Sequence, residues 1–178
     1  MSKTQVKQNT TAEYVCAVIG HQPANLPFGA NEADERCIRL KEKLRMTIEE
    51  QISEDGVTRF LCSMNIGAEL FAAEIIEDLQ AEGKNITLTA VLPYELQAED
   101  WPEAGRERFF ETVRRCNEEK HIQAHYDDMC MANTARYLTN AADCVIAVWN
   151  GQPGDVGMTV QMAKEKGVTV VQINPENL

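Results

Sequence analysis

The order of apolar and helical segments predicts an α/β fold, with a mostly parallel sheet of about six strands and helices on both faces. Residues 143–149 and 168–173 are short, nearly continuous apolar runs rich in β-branched residues, which is typical of strands buried on both faces. A glycine-rich turn and a helical segment separate them, so this part of the chain is predicted to be a βαβ unit. The same alternation recurs along the rest of the chain.

Six segments are predicted to be strands because each is short and rich in β-branched or aromatic residues. Gly20 and Pro23 end the first strand, and Gly56 precedes the second. The fourth strand is the weakest of the six because it is the most polar. The predicted strands are residues 14–19, 58–62, 86–92, 121–126, 143–149 and 168–173.

Five segments between these strands are predicted to be helices: residues 31–53, 68–81, 103–119, 127–140 and 159–166. Asn31 is the expected N-cap of the first helix, whose apolar residues recur at intervals of three or four. Asp127 is the expected cap of the fourth helix, which should bury Met131, Ala135 and Leu138. The longest irregular stretch, residues 93–102, is a candidate loop over a ligand site.

The length and charge of the chain limit its organisation and its partners. We expect residues 1–12 to form a flexible lead and residues 13–178 to form a single domain. No apolar run approaches the roughly 18 residues needed to cross a membrane, so we expect no membrane association. The net charge of −11 would repel a phosphate backbone, which disfavours nucleic acid as a partner.

The cysteines and histidines indicate neither disulfides nor a metal site. The six cysteines include no C-x-x-C pair and follow no secretory signal, so we expect reduced thiols and a cytoplasmic location. Cys16 and Cys144 lie in apolar strand segments and are expected to be core residues. His121 and His125 would stand about 13 Å apart on a strand, too far to share an ion.

Four strand-to-helix junctions carry glycine or polar residues and should meet at one edge of the sheet. They begin at Gly20, Ser63, Pro93 and Asn150. In parallel sheets ligands bind at the carboxyl ends of the strands, where the strand order reverses. Residues 150–157 contain three glycines and a proline and precede a helix, an arrangement that favours anion binding. The G-x-G-x-x-G and P-loop patterns are absent, so this loop alone could also be a plain connection.

The residues at these junctions resemble a known family over residues 14–175. Four motifs are similar to those of the YpsA-type branch of the SLOG superfamily. They are Gly-His-Gln-Pro at 20–23, Ser-Met-Asn-Ile-Gly-Ala-Glu from 63, Leu-Pro-Tyr-Glu-Leu-Gln at 92–97 with Trp101, and Trp-Asn-Gly at 149–151. That superfamily is named after the Smf/DprA proteins and the Lonely Guy proteins. The resemblance implies a Rossmann-like three-layer fold that binds a nucleotide or a nucleotide derivative.

The chain departs from the family pattern at several of these positions. Gln22 stands where the family has arginine, and glutamine cannot replace the two-pronged contact of a guanidinium with phosphate. Cys62-Ser63 replaces Thr-Gly, and Glu69 replaces aspartate. The family's Gly-Gly-Thr ending is spread out between Gly154 and Thr159, with Asp155 placed where its charge would repel phosphate.

Each candidate site residue has an ordinary structural explanation beside its functional one. The glycines could approach a phosphate or could only shape turns; Ser63 and Thr159 could bind phosphate or cap helices. His21 and Asn150 could bind a ligand or stabilise their own loops. Glu69 could accept a hydrogen bond from a ribose hydroxyl or interact favourably with the helix dipole. Tyr94 and Trp101 could stack on a base or anchor a loop. The candidate ligand-binding residues are Gly20, His21, Ser63, Gly67, Glu69, Pro93, Asn150, Gly151, Gly154, Gly157 and Thr159.

Three functions remain open, and the weakest is a nucleic-acid-handling protein like the DprA relatives, which the acidic net charge disfavours. The first is a sensor or regulatory module that binds a small nucleotide-like molecule and could form a homo-oligomer. The second is a nucleotide N-glycosidase similar to the Lonely Guy phosphoribohydrolases, in which a glutamate follows the glycine loop. Gln161 occupies the matching position and cannot hold a proton or a negative charge, so we lean towards the binding module and assign no catalytic residue.

Overall fold

The computed structural model describes residues 12–178 and contains one six-stranded sheet of order β4-β3-β2-β1-β5-β6. Every neighbouring pair of strands is parallel. The predicted lead at residues 1–12 lies almost entirely outside the described residues. The strands are β1 Val15–Gly20, β2 Arg59–Cys62, β3 Thr87–Leu92, β4 Glu118–His121, β5 Cys144–Val148 and β6 Thr169–Ile173.

Five α-helices and one short 3₁₀ turn connect these strands. The predicted α/β class is confirmed, and the arrangement is Rossmann-like. The helices are α1 Glu35–Ser53, α2 Ala68–Ala81, α3 Glu103–Arg115, α4 Cys130–Ala141 and α5 Asp155–Glu165, and the 3₁₀ turn is Pro23–Asn25. None of the helices in the described part of the chain is long and apolar enough to span a membrane.

The path of the chain places three helices on one face of the sheet and two on the other. Strands β1 to β4 follow one another outward, and the buried residues of α1, α2 and α3 share a core with one face of the sheet, formed by every strand except β4. The chain then returns to the centre, and α4 and α5 pack on the opposite face. Strand order therefore reverses between β1 and β5, which is where this architecture binds ligands.

The predicted boundary between α3 and β4 was wrong. The helix was predicted to reach residue 119 and the strand to span 121–126, whereas α3 ends at Arg115 and β4 is Glu118–His121. Asn117 explains the change, because its N–H donates to Leu88 O at 2.9 Å and its Oδ1 accepts from Leu88 N at 2.8 Å. All four residues of β4 are exposed, so the strand has no apolar pattern to reveal it.

Three helices begin at residues other than those predicted. Asp34, not Asn31, is the N-cap of α1, and its Oδ1 accepts from Arg36 N at 2.9 Å. Asp127 accepts from Met129 N, but α4 begins later, at Cys130. Helix α5 begins at Asp155, four residues before the predicted start, because Gly154 takes a positive φ of 151° that ends the loop there.

Gly20 brings β1, α2 and β5 into close contact. A β-carbon at this position would lie 2.7 Å from Ala68 Cβ and 3.0 Å from Val148 Cβ, both nearer than side chains normally approach. The absence of a side chain therefore lets α2 rest directly on the end of β1.

We predict that Gly20→Ala lowers the free energy of unfolding by about 1–3 kcal/mol, because two buried neighbours must shift. Denaturant unfolding would measure the change. Gly105→Ala is the matched control: a β-carbon on this helical glycine would lie 3.3 Å from the flexible end of Ile66 and 3.9 Å from Trp101 Cβ, so the stability of this variant should stay equal or rise. Equal stability of Gly20→Ala and the native chain would contradict the packing role of Gly20.

Candidate functional site

A cleft of about 180 Å³ opens at the carboxyl ends of β1 and β5, where the strand order reverses. Its walls come from the end of β1, the β2–α2 loop, one face of α4, the β5–α5 loop and the first turn of α5. The lining residues are Ile19, Gly20, His21, Gln22, Asn25, Ser63, Asn65, Glu69, Met131, Thr134, Ala135, Leu138, Asn150, Gln152, Pro153, Gly154, Asp155, Val156 and Thr159.

Seven of the eleven candidate residues line this cleft: Gly20, His21, Ser63, Glu69, Asn150, Gly154 and Thr159. The other four do not. Gly67 lies behind the cleft at the N-cap of α2, and Pro93 is buried after β3. Gly151 and Gly157 face a different cavity, on the far side of the β5–α5 loop.

Glu69 is a buried carboxylate at the base of the cleft, in the first turn of α2. Its Oε1 accepts from Gly20 N at 3.3 Å, and its Oε2 accepts from Ser63 Oγ at 2.6 Å and from Asn65 N at 3.0 Å. These contacts tie the end of β1 and the β2–α2 loop to α2. Both oxygens are thus held by protein donors, rather than standing free for a ribose.

Burial raises the pKa of Glu69 to about 7, although the hydrogen bonds from Ser63 and from two backbone N–H groups oppose the shift. The carboxyl group therefore gains or loses its proton close to neutral pH. Among the residues that line the cleft, Glu69 has the protonation behaviour expected of a general acid or base.

The loop between β2 and α2 is held in a strained shape around this carboxylate. Met64 is fully buried and has a positive φ of 61°, which is uncommon for a residue other than glycine. The next residue, Asn65, donates its N–H to Glu69. The strain is thus compensated by the burial of Met64 and by this contact with the charged oxygen.

His21 and Asn150 connect the loops that follow β1 and β5. His21 Nε2 lies 2.8 Å from Asn150 Oδ1 and 3.2 Å from Asn150 N. Nε2 serves one of these contacts at a time: with a proton it donates to the Asn150 amide oxygen, and without one it accepts from the Asn150 backbone N–H. Asn150 Oδ1 also accepts from Gln152 N at 3.1 Å. These two side chains therefore brace the switch point while lining the cleft.

Two candidate glycines serve close packing instead of facing the cleft. Gly67 has a φ of 102°, and a β-carbon there would lie 2.7 Å from His21 O. This approach lets Ala68 N donate to the same oxygen at 3.1 Å.

Gly157 was expected in a phosphate loop but lies inside α5. A β-carbon there would lie 3.0 Å from Gln152 O and 3.2 Å from the Trp149 ring. The Trp149 Nε1–H donates to Gln152 O at 2.7 Å, so the loop folds back over the first turn of the helix. A larger residue at 157 would therefore disturb this packing.

The first turn of α5 points into the cleft. Gly154, Asp155 and Val156 line it, and the first N–H groups of a helix have no partner within the helix. Thr159 Oγ1 donates to Asp155 O at 2.9 Å, so this hydroxyl is used within the helix. Asp155 is exposed and lies at the first helical position.

The sequence reasoning missed one wall of the cleft, which α4 supplies through Met131, Thr134, Ala135 and Leu138. The spacing of Met131, Ala135 and Leu138 did predict a buried helix face. Which part of the sheet this face covers depends on strand order, and the sequence pattern does not determine that order.

Tyr94 and Trp101 do not cover the cleft. They line a separate cavity of about 460 Å³ with Tyr126, whose ring centroid is 5.4 Å from that of Tyr94. Gln97 from the same loop reaches back, and its Nε2 donates to Ser63 O at 2.9 Å. The loop after β3 therefore stabilises the cleft from behind.

Comparison with known proteins identifies the family. A family model described as YspA SLOG family, with the short name YpsA, matches residues 16–178. The chain belongs to the YpsA SLOG family. A UPF0398 protein of Bacillus thuringiensis (strain Al Hakam) is 26% identical over 159 residues, which is 86% of this chain and 84% of the relative.

Two solved structures share the fold of this YpsA-family protein. DNA processing protein A of Streptococcus pneumoniae matches with a TM-score of 0.59 and 16% identity over 91% of this chain, which spans 50% of that longer chain. DNA processing protein A of Helicobacter pylori matches with a TM-score of 0.59 and 14% identity, over 90% of this chain and 65% of that one. At these identities the likeness establishes the fold alone.

These comparisons do not support the expectation that nucleic acid is disfavoured. The Helicobacter pylori protein is described as binding single-stranded DNA, and the expectation for the YpsA-family chain rests only on its net charge of −11. The question is therefore one for direct measurement.

We predict that Glu69 makes the folded protein less stable as the pH rises from about 5.5 to about 7. Its folded pKa of about 7 exceeds the ordinary value of 4.5, so in this range the folded protein holds a proton that the unfolded chain has lost. Over this pH range, titration of Glu69 should lower the free energy of unfolding by an amount on the order of 2 kcal/mol, and Glu69→Gln should abolish that contribution.

Glu77 also has a pKa raised to about 7 by burial, so the measurement should compare Glu77→Gln with the double variant Glu69→Gln/Glu77→Gln. Urea unfolding at several pH values would give, for each of the two variants, the slope of the free energy of unfolding against pH. Identical slopes would show that Glu69 does not titrate in this range.

Proposed function

We propose that the protein is a binding module for a nucleotide or nucleotide-derived small molecule, with a sensor or regulatory role. The observation that carries the proposal is the cleft itself. It lies at the switch point between β1 and β5, and four separate strand-to-helix or helical segments contribute polar groups to it. Membership of the YpsA SLOG family supports the same ligand class.

The construction of the cleft suits recognition more clearly than chemistry. Its deepest carboxylate is held by three protein donors, and His21 is held by Asn150. Groups fixed in this way lose little freedom when a ligand binds, which favours affinity and specificity. Amide and hydroxyl groups around the mouth supply the hydrogen bonds that a ribose and a base require.

We also propose a cytoplasmic location. All six cysteines are free and five of them are buried, the exception being the half-buried Cys116. Burial raises the pKa of Cys16 and Cys62, so these thiols are core groups and poor nucleophiles.

We predict that filling the cleft weakens ligand binding without unfolding the protein. Gln22 is exposed and lines the cleft, so Gln22→Trp should place an indole in the opening and weaken binding at least about tenfold, which is roughly 1.4 kcal/mol. Calorimetric titration with the four common ribonucleosides and their 5′-mono- and triphosphates would measure it.

The matched control is Gln161→Trp. Gln161 is equally exposed but lies on the side of α5 that faces away from the cleft. Its binding should stay within about twofold of the native protein, which is about 0.4 kcal/mol. No binding by any compound, or an equal loss in both variants, would refute the proposed site.

An N-glycosidase is the second candidate, and one observation favours it. Glu69 has a pKa of about 7 and lies at the base of the cleft, where a general acid or base would be useful. Against it, Gln161, which replaces the glutamate of the Lonely Guy proteins, lies outside the cleft and cannot carry a proton. The remaining carboxylate of the cleft, Asp155, is at its exposed edge.

We predict no efficient release of base from adenosine, guanosine, cytidine or uridine monophosphate. General acid–base help is worth about 10²–10⁴-fold in rate, and a carboxylate at position 161 is missing. Chromatography of the reaction mixtures would detect free base. Turnover on the order of 1 per second or faster would instead support the enzyme, and Glu69→Gln and Asp155→Asn would then identify its acid.

A further inference from the structure

The charge of the cleft is unusual for a site that is expected to hold phosphate. Its lining contains two carboxylates, Glu69 and Asp155, and within residues 12–178 neither lysine nor arginine lines it. Phosphate sites in proteins normally supply cations or a row of free backbone N–H groups. A ligand with several phosphates would therefore enter a negatively charged opening, in a chain of net charge −11.

The first turn of α5 has the free N–H groups that could bind an anion in the cleft, but Asp155 adds a negative charge at this turn. Asp155 is the first residue of the helix, is exposed and lines the cleft. A carboxylate at this position already supplies the negative charge that the N-terminus of a helix favours. A second anion placed there would be repelled by it.

The nearby cavity that does contain an arginine cannot compensate. Arg108 lines a separate cavity with Gly67 and Phe71, but its guanidinium is paired with both Glu32 and Glu74. Arg108 Nη2 lies 2.7 Å from Glu74 Oε2 and 3.2 Å from Glu32 Oε2. Its charge is therefore matched by two carboxylates, and it faces away from the cleft.

The other polar side chains of the cleft are the imidazole of His21 and a set of uncharged amides and hydroxyls. The amides and hydroxyls both donate and accept hydrogen bonds: Gln22, Asn25, Ser63, Asn65, Thr134, Asn150, Gln152 and Thr159. Such groups recognise sugar hydroxyls and the edges of bases. A cleft of about 180 Å³ is also smaller than the typical site for a drug-sized ligand, about 300–1,000 Å³.

We propose that the cleft selects the uncharged nucleoside over its phosphorylated forms, and that Asp155 is the residue that sets this preference. The inference rests on the proposed function, since it names which nucleotide-derived ligand the site takes. The Asp155 carboxylate accepts hydrogen bonds from ribose hydroxyls of the nucleoside. It repels the 5′-phosphate of a nucleotide.

The test is a set of calorimetric titrations at about 50 mM salt, where charge effects are weakly screened. Each ribonucleoside is compared with its 5′-monophosphate and its triphosphate. We expect the preferred nucleoside to bind at least about tenfold more tightly than its monophosphate, with the triphosphate weaker again. In Asp155→Asn the ratio of the affinity for the nucleoside to the affinity for its monophosphate should fall at least about threefold, because the monophosphate binds more tightly.

The control is Asp78→Asn, which changes the net charge equally but at an exposed position in the last turn of α2, on the other face of the sheet. Its ratio should match that of the native protein. Asp155→Ser serves as a second variant, since serine also removes the negative charge and keeps a polar side chain, and it should behave like Asp155→Asn.

The outcomes separate this inference from the proposed function. A monophosphate or triphosphate that binds as tightly as the nucleoside, or more tightly, overturns the nucleoside preference and leaves the binding module standing. An unchanged ratio in both Asp155 variants overturns the role of Asp155. Absence of binding by every nucleoside and nucleotide overturns both proposals.

Discussion

The buried carboxylate of Glu69 is the interaction on which the rest of the site depends. It holds Gly20 at the end of β1, 49 residues away in sequence, and Ser63 and Asn65 in the loop after β2, so the ends of both strands are tied to α2. Burying a carboxylate away from water is costly unless hydrogen-bond donors surround it. Burial raises the pKa of Glu69 to about 7 even though three donors contact its oxygens. Without Glu69, the hydroxyl of Ser63 and the N–H groups of Gly20 and Asn65 would each lose this acceptor.

Two glycines allow backbone segments to approach closely enough for these hydrogen bonds to form. Gly20 lets α2 pack against β1, and Gly67 lets the start of α2 approach His21 O. Strand β5 pairs directly with β1, and the loop that follows β5 is joined to His21 through Asn150. The cleft is the space left above these contacts, and α4 closes it from the other face of the sheet.

Sequence reasoning predicted the α/β class, the strands other than β4 and seven of the residues that line the cleft, because apolar runs and glycine junctions are local signals. Strand β4 was misplaced because its four residues are exposed and one asparagine, Asn117, sets its register. Gly157 was misassigned because the start of α5 depends on the conformation of Gly154. The wall formed by α4 depends on strand order, which local patterns do not encode.

We propose above that a nucleoside-type ligand occupies the cleft between the ends of β1 and β5. The most direct measurement of this is a crystal structure of the protein soaked with the nucleoside that binds best in solution. We expect ligand density in contact with Gly20, Asn150 and the first turn of α5. Density only at the opposite edge of the sheet, near Gly56 and Gly83, would contradict it.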